Sequence, residues 1–297
     1  MIVLFLMALT PFRADRVEII EEERERIVYL LGNVVIESDE AVITCDEARI
    51  SEAHGWVRLS GAVKVLDANG EINARSATYY FNENRAYLSD SVIIVTARER
   101  IMSDSLYYDG TRNWVEMYGD VLIEDDRNNM VVSGESGWYD LARDEGSLSG
   151  DPELRIMRED KTPIVVYANA FALLTRDDQF RGYDAVRAVI DSINIQCDTV
   201  SYDLRSEAGE MVRPVIREKN NELTGTRGEF RLRNREIELL DVVNGRSVYY
   251  TKEGSKNTVE GGRIAVTFSE GRVVMIRVDS LPRGVLYLKR SQEGAVD

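Results

Sequence analysis

The sequence is poor in proline, histidine and cysteine, which number 5, 1 and 2 among its 297 residues. A single histidine excludes a His-rich metal site and weakens any Ser–His–Asp scheme for catalysis. Scarce proline and the lack of a Ser/Gly-rich stretch give no sign of a linker. Glycine-rich phosphate loops and Gly/Asp-rich calcium repeats are absent as well. These absences direct attention away from cofactor and metal chemistry, and we predict no cofactor.

An excess of positive charge is also missing, because 37 Lys and Arg face 52 Asp and Glu, a formal net charge of −15. Nucleic-acid binding depends on clustered basic side chains, so this balance argues against such a partner. It argues equally against capture of an anionic lipid by charge alone. Hydrophobic residues make up 44% of the chain. This share predicts a globular protein with a buried core.

The first residues contain the longest apolar run, residues 2–9, which is far too short to span a bilayer as a helix. It is similar to the apolar region of a secretory signal peptide, with Ala14 as a candidate cleavage residue. An apolar first strand is the alternative. We therefore predict a leader or its remnant over residues 1–14, and one elongated domain of about eight repeats over residues 15–297.

An internal repeat is the main signal. Units of 29 residues begin at Gly32, Gly61, Asp90 and Gly119. A small residue recurs at one strand position throughout, at Cys45, Ala74, Ser103, Ser133, Ala168, Cys197, Gly225 and Gly261. A repeat of this kind predicts a stack of similar structural units.

Apolar residues around each small residue alternate by two, which is the period of a β-strand. One step of three, as from Cys45 to Ala48, shifts the phase and requires a bulge or sharp bend. The partner strand, for example residues 57–65, is predicted to alternate without a break. The fold class is therefore all-β: an elongated, repeat-built antiparallel β-jellyroll, a sheet folded over on itself with two strands per repeat.

The units resemble the repeats of the OstA/LptA family. The resemblance rests on SGxVxV and YGDVLIED strands at residues 60–65 and 118–125, and on a small-D-x-L-x-Y strand at residues 103–108. Residues 148–151 (LSGD) and the closing residues 273–287 add to it. It implies a non-enzymatic periplasmic component of lipopolysaccharide transport that holds acyl chains in an apolar trough. Other β-jellyrolls of the transport machinery, or further copies of this chain, would be its partners by edge-strand pairing.

Candidate trough-lining residues follow from the inward phase of the strands together with this resemblance. They are Ile72, Ala77, Tyr79, Phe81, Leu88, Val92, Ile101, Leu106, Tyr108, Val121, Ile195, Val200 and Tyr202. The same apolar ladder would also suit a structural or adhesive scaffold with a dry core. The sequence does not distinguish an open trough from a filled interior.

Other chemistry-bearing residues are predicted to have structural roles. His54 is expected in an exposed turn, and the acidic pairs at residues 39–40, 125–126 and 177–178 at strand ends and turns. Cys45 and Cys197 are expected to be free and buried, too far apart for a disulfide. Trp56 and Trp114 hold equivalent positions in two repeats, either for packing or for an interface. A polysaccharide-active β-helix enzyme is a further alternative, disfavoured because each repeat contains only two turns.

Overall fold

The computed structural model of the protein describes residues 11–22, 25–38, 41–250, 254–269 and 271–286. Within these ranges the chain forms strands joined by turns and bends, and no helix. The all-β prediction is confirmed. No helix that could cross a membrane is found in the described part of the chain. The apolar run at residues 2–9 lies outside the described residues, so the leader stays a prediction.

The strands are long and follow one another closely. The first twelve are β1 (Phe12–Arg13), β2 (Arg16–Glu22), β3 (Glu25–Glu37), β4 (Ala41–Ser51), β5 (Trp56–Asp67), β6 (Gly70–Tyr80), β7 (Arg85–Thr96), β8 (Glu99–Asp109), β9 (Trp114–Asp125), β10 (Met130–Asp140), β11 (Glu145–Ser149) and β12 (Glu153–Arg158). The others are β13 (Lys161–Tyr167), β14 (Ala170–Leu174), β15 (Gln179–Ile190), β16 (Ile193–Asp203), β17 (Ala208–Val212), β18 (Val215–Glu218), β19 (Asn221–Thr224), β20 (Arg227–Arg233), β21 (Glu236–Tyr250), β22 (Lys256–Ser269), β23 (Arg272–Asp279) and β24 (Arg283–Val285).

The chain divides into two compact units. Unit 1 comprises the described residues up to Ile156 together with Leu174–Arg176, and unit 2 comprises Met157–Leu173 and the described residues from Asp177 onward. In unit 1, β5 pairs antiparallel with β4 and with β6. In unit 2, β16 pairs in the same way with β15 and β17. Each unit therefore contains the predicted antiparallel meander, and the prediction of a single domain over residues 15–297 stays a prediction.

Each repeat has a corner at which both paired strands bend. Between β3 and β4 the register changes from Val34 opposite Cys45 to Leu31 opposite Glu47. Asp46 on β4 therefore faces a two-residue insertion on β3. A single extra residue reverses the inward phase, which explains the step of three that the sequence shows. The predicted bulge next to the small residue is confirmed at Cys45.

The partner strand is also bent, although its apolar residues alternate without a break over residues 57–65, as predicted. In β5, Gly61 and Ala62 lie between Ser60 and Val63, where the register shifts. Both have left-handed backbone conformations, with φ of 72° and 44°. Because two residues are inserted, the apolar alternation keeps its phase across the bend. A break of even length leaves no trace in a period-two pattern.

One predicted corner position is displaced by a residue. In β10, Gly134 pairs with Val121, and the register shifts between Gly134 and Ser136. The small residue before the bulge is therefore Gly134 and not Ser133. The reason is the turn before β10, which contains residues 126–129, whereas the turn before β8 contains only residues 97 and 98. Two additional turn residues lengthen this repeat from 29 to 31.

The turns at the other end of the strands are linked to one another by backbone hydrogen bonds. In unit 1, the Phe81 amide donates to the Gly55 carbonyl (2.9 Å) and the Gly110 amide to the Asn84 carbonyl (2.8 Å). In unit 2, the Leu204 amide donates to the Asp178 carbonyl (2.9 Å). Asn84 and Asp178 have positive φ, which Asn and Asp tolerate better than most residues. These bonds extend the strand ladders into the loops.

Candidate functional site

The candidate site is the apolar interior, by which we mean the inward-facing side chains of the bent strands. In β5, Val57 and Leu59 precede the corner, whereas Val63 and Val65 follow it, and all four are at most 2% exposed. Both halves of the strand are therefore buried on the same side. The alternation places apolar residues inward on each neighbouring strand, so like residues form ladders across the sheet.

The candidate trough-lining residues occupy this interior in both units, with one exception. Ten of the thirteen are buried: Ile72, Ala77, Tyr79, Leu88, Val92, Leu106, Tyr108, Val121, Ile195 and Tyr202. Ile101 and Val200 are half-buried inward residues of β8 and β16. Phe81, also half-buried, lies in the turn after β6 and not on a strand. The candidates from Ile72 to Val121 in the chain lie in unit 1, whereas Ile195, Val200 and Tyr202 lie in unit 2.

Tyrosines form the inward row next to the turns in unit 1. Tyr79 is 4% exposed, and its hydroxyl donates to Asn84 Oδ1 at 3.2 Å. Burial, and to a lesser extent Tyr108, raises the pKa of Tyr79 to about 12. Burial likewise raises the pKa of Tyr108. Each of these side chains places an aromatic body in the apolar interior and a hydroxyl at its margin.

The two halves of the folded sheet approach each other near a third tyrosine of this row, Tyr139. Its hydroxyl lies 2.6 Å from Thr175 Oγ1. Burial raises the pKa of Tyr139, and the charges of Asp144 and Glu99 raise it further. Glu99 begins β8 in the opposite half, where burial followed by the charge of Asp125 raises its own pKa. The Tyr139 hydroxyl is thus hydrogen-bonded to the neighbouring turn and lies within the electrostatic influence of Glu99 from the opposite half.

The inward ladder becomes solvent-exposed at the first strands of unit 1. Val17 and Ile19 of β2 pair with Leu30 and Val28 of β3, so they continue its inward row. Their exposures are 44% and 66%, whereas Leu30 is fully buried. Phe12, opposite the buried Ile36, is 45% exposed. In the described part of the chain, β2 hydrogen-bonds with β3 alone.

The last strands of unit 2 show a similar opening. Ile276 pairs with Val266 and Val273 with Phe268, and both of these β22 partners are buried. Ile276 and Val273 themselves are 40% and 45% exposed. Within the described ranges, β22 is the strand to which β23 is hydrogen-bonded. Among the described strands, each unit therefore has an edge strand, and exposed apolar side chains lie on it.

Both cysteines are free and buried, as predicted. Cys45 in unit 1 and Cys197 in unit 2 are inward residues next to a bulge. Burial, with Asp46 contributing, raises the pKa of the Cys45 thiol to about 11, and burial followed by Asp198 raises that of Cys197 to about 12. Thiols held protonated in this way are poor nucleophiles and metal ligands.

His54 lies in the turn before β5, as predicted, and its side chain is 65% exposed. No pattern in the sequence predicts its partner, which is Glu25: Nδ1 lies 2.7 Å from Glu25 Oε1. Ser51, which is fully buried, places Oγ 3.4 Å from the same nitrogen. Ser51 and Glu25 therefore both contact Nδ1 of His54. In a Ser–His–Asp triad the serine and the carboxylate contact different ring nitrogens, so these three residues do not have the geometry of a triad.

The acidic pairs lie at turns where the structure describes them, and residues 39–40 are outside the described residues. Asp125 Oδ1 accepts a hydrogen bond from the Asn128 amide at 3.0 Å. Asp178 Oδ2 accepts one from Arg205 Nε at 2.6 Å. Within the described ranges, no group of three or more His, Cys, Asp or Glu residues is arranged to hold a metal ion.

Comparison with known proteins relates the first half of the chain to one family. Residues 9–148 match the family model of OstA-like proteins. This part of the chain is similar to OstA-like proteins. The resemblance predicted from the repeats is confirmed over that range, which we call the OstA-like region. It contains most of unit 1 and the first eleven strands in whole or in part.

Sixteen chains of solved structures also match the protein. One is the crystal structure of LptH from Pseudomonas aeruginosa, described as the LptA homologous periplasmic component of the conserved lipopolysaccharide transport device. It is 13% identical, and the match covers 36% of this chain and 76% of LptH with a TM-score of 0.33. Comparison with functionally curated proteins gives no match.

Proposed function

We propose that the protein is a non-enzymatic carrier or bridge component that binds the acyl chains of lipopolysaccharide in its apolar interior and passes the lipid toward the outer membrane. The observation that carries the proposal is the inward apolar ladder of an OstA-like region, which continues into solvent-exposed apolar residues at its first strand. The periplasm of a diderm bacterium, reached by export, is the proposed location.

An apolar interior suits a lipid cargo energetically. Each buried CH₂ group contributes about 0.8 kcal/mol, so several acyl chains need no charged clamp. The formal net charge of −15 repels an anionic glycolipid from the surface as a whole. Acyl chains that enter from the exposed Val17 and Ile19 would meet the same kind of side chain along the ladder.

The tyrosine row favours one orientation of the cargo. Tyr79 and Tyr108 put hydroxyls at the margin of the interior and rings inside it, as aromatic side chains do at boundaries between apolar and aqueous phases. The acyl chains would therefore lie inward of this row, and the sugar and phosphate groups outside. Because Tyr79 is 4% exposed, binding requires the two halves to separate at the margin.

Edge-strand pairing is the proposed mode of assembly. An open edge with apolar neighbours either aggregates or is used for pairing with another sheet. β2 in unit 1 and β23 in unit 2 are such edges. We propose that they accept the β-jellyroll components of the transport machinery or, head to tail, further copies of this chain, which would also hold the protein at a membrane through its partners.

Photo-crosslinking in the full-length protein tests lipid carriage. A photoreactive amino acid is placed at Tyr79, which is buried, or at Arg75 of the same strand, which is exposed at the bulge. After irradiation with lipopolysaccharide, we expect adducts at position 79 and none at position 75. Circular dichroism confirms that both variants are folded. A folded position-79 variant that forms no adduct contradicts the proposal.

A structural scaffold with a dry core is the second candidate, and one observation favours it. Leu30 and Val34 are completely buried, and Leu59 and Val65 are at most 2% exposed. Side chains packed to this extent leave no volume for an acyl chain unless the halves move apart. If position 79 yields no adduct and lipopolysaccharide leaves the melting temperature unchanged, the scaffold is the function that remains.

A further inference from the structure

The outer face of unit 1, opposite the apolar interior, has an aromatic groove that the proposed lipid function does not use. Tyr87, Tyr107 and Glu116 form one row of its lining across three strands, and Ser89, Ser105 and Tyr118 form the next row, with the two serines as the floor. The volume of the groove is about 430 Å³. These side chains alternate with buried inward residues on β7, β8 and β9, so all of them point away from the interior.

Small floor residues between large walls create the groove. Tyr87 pairs with Tyr107, and Ser89 with Ser105, on adjacent strands. On the third strand Tyr118 is opposite Ser105. With strands about 4.8 Å apart and a rise of about 3.4 Å per residue, Tyr87 and Tyr118 are two strands and two residues apart, which places their backbones about 12 Å from each other across the serines. This spacing admits a flat ring or two between them.

Two tyrosines that line the groove are about half exposed to solvent. Tyr87 is 49% and Tyr118 48% exposed. A cross-strand pair such as Tyr87 and Tyr107, whose ring centroids are 4.8 Å apart, accounts for one face of each ring. Tyr80 meets Tyr87 edge-on at 6.1 Å and fixes its orientation. The outer part of the Tyr87 ring nevertheless remains available for contact.

Hydrogen-bonding groups lie beside these rings. Glu116 accepts hydrogen bonds from Trp114 Nε1 at 2.9 Å and from the Tyr118 hydroxyl at 2.6 Å, so its carboxylate is held in place with lone pairs to spare. In the part of the chain that the structure describes, the hydroxyls of Tyr87 and Ser105 take no part in any side-chain hydrogen bond. The groove thus offers acceptors and free hydroxyls within a few ångströms of two aromatic faces.

We propose that this groove binds a neutral saccharide chain. A pyranose ring has an apolar C–H face that stacks on an aromatic ring and a rim of hydroxyls that donate to carboxylates and exchange hydrogen bonds with serine and tyrosine. The rings of Tyr87 and Tyr118 and the acceptor Glu116 supply both kinds of contact. One sugar unit of an extended polysaccharide is close in length to the spacing of strands.

The groove fits other ligand classes less well. A carboxylate at its wall and a net charge of −15 disfavour nucleic acid and anionic ligands. β7, β8 and β9 are hydrogen-bonded to neighbours on both sides, so an extended peptide finds no open backbone groups there. The exposed rings occupy a small part of the roughly 800 Å² per partner that a stable protein interface buries.

Oligosaccharide titration of the full-length protein tests the inference. The probes are the linear hexamer of α-1,4-linked glucose and that of β-1,4-linked N-acetylglucosamine, followed by saturation-transfer NMR and calorimetry. We expect binding of at least one hexamer. Tyr87→Ala and Tyr118→Ala should each weaken it about 3- to 10-fold, since each removes one stacking face. Glu116→Gln, which keeps the rings, should weaken it by a smaller factor.

The matched control is Tyr250→Ala, which removes a tyrosine of unit 2 that is 38% exposed. Its affinity for the hexamers should equal that of the unaltered protein. The two probes separate a hexose chain from an N-acetylhexosamine chain as the source of the saccharide, and binding of either supports the inference. It is overturned if neither hexamer binds at millimolar concentration, or if affinity is the same without Tyr87 and Tyr118. If the protein binds neither hexamer but self-associates, and Tyr87→Ala abolishes that self-association, the groove is a protein interface and the inference is wrong.

Discussion

The side chain of Asp46 occupies the space that a Cβ atom on Gly61 would need. An ideally placed Cβ would lie 2.7 Å from Asp46 Cβ, a separation that real Cβ atoms do not show. The same relationship recurs two repeats later between Asp104 and Gly119, also at 2.7 Å. The bulged residue of one strand and the left-handed glycine of its partner therefore form one interlocked corner.

Replacement of this glycine should destabilise unit 1. Gly61→Ala forces a side chain into a conformation with φ of 72° and against Asp46, so we expect a loss of about 1–3 kcal/mol in the free energy of unfolding. Urea denaturation followed by circular dichroism measures it. The control is the next residue, because Ala62→Gly relieves a left-handed alanine (φ 44°) and should change stability by no more than about 0.5 kcal/mol. Equal losses for the two variants would contradict this account.

The corners also mark what the sequence can and cannot predict. A one-residue bulge such as Asp46 changes the parity of the apolar pattern, so the sequence predicts it directly. The two-residue insertion of Gly61 and Ala62 preserves the parity and passes unnoticed, although Gly61 is a residue type that favours positive φ. The displaced corner at Gly134 has a third cause, since turn length varies independently of the strand pattern.

Buried thiols should make the protein lose stability at alkaline pH. Burial raises the pKa of Cys45 from its ordinary 9.0 to about 11, so the folded state keeps a proton that the unfolded state releases. The protonated thiol therefore contributes to the free energy of unfolding in full below pH 9, and this contribution is lost as the pH rises toward 11. Cys45→Ala should therefore show a shallower fall of the unfolding free energy between pH 9 and pH 11 than the unaltered protein, measured by urea denaturation at a series of pH values.

Thiol labelling provides the control for this alkaline effect. Cys45 and Cys197 are both buried, so at pH 9 a thiol reagent should react slowly with the native protein and at once with two thiols in urea. Rapid labelling of either cysteine in the native protein would contradict the burial on which the pH argument rests. Parallel pH profiles of Cys45→Ala and the unaltered protein would contradict the pKa argument itself.

Phe171 should be a main contributor to the core of unit 2. It has no exposed surface and meets Phe180 at 4.7 Å between ring centroids, with the rings inclined at 62°. Phe171→Ala removes a fully buried aromatic ring and leaves a cavity, for an expected loss of about 3–5 kcal/mol. Tyr183→Ala, at a side chain that is 37% exposed, should change stability by no more than about 0.5 kcal/mol. Thermal unfolding by calorimetry compares them, and similar melting temperatures would contradict the assignment.

The candidate sites differ in how far the sequence could locate them. The inward phase of Tyr79 or Leu88 follows from alternation along a single strand, which the sequence contains. The outer groove depends on which residues of β7, β8 and β9 face one another, and register is set by turn length and corner geometry. Tyr87, Ser105 and Tyr118 are 13 to 31 residues apart in the chain, so no local pattern unites them.

The exposed edge of unit 2 should determine self-association. Val273 lies on β23, whose hydrogen-bonding partner in the described part of the chain is β22, whereas Val243 lies on β21, which pairs with strands on both sides. The two side chains are similarly exposed, at 45% and 42%. Lysine at an edge blocks the approach of another strand. We therefore expect Val273→Lys to abolish a concentration-dependent oligomer that Val243→Lys retains, measured by sedimentation velocity. A protein that stays monomeric at every concentration, or equal effects of the two substitutions, would contradict assembly through this edge.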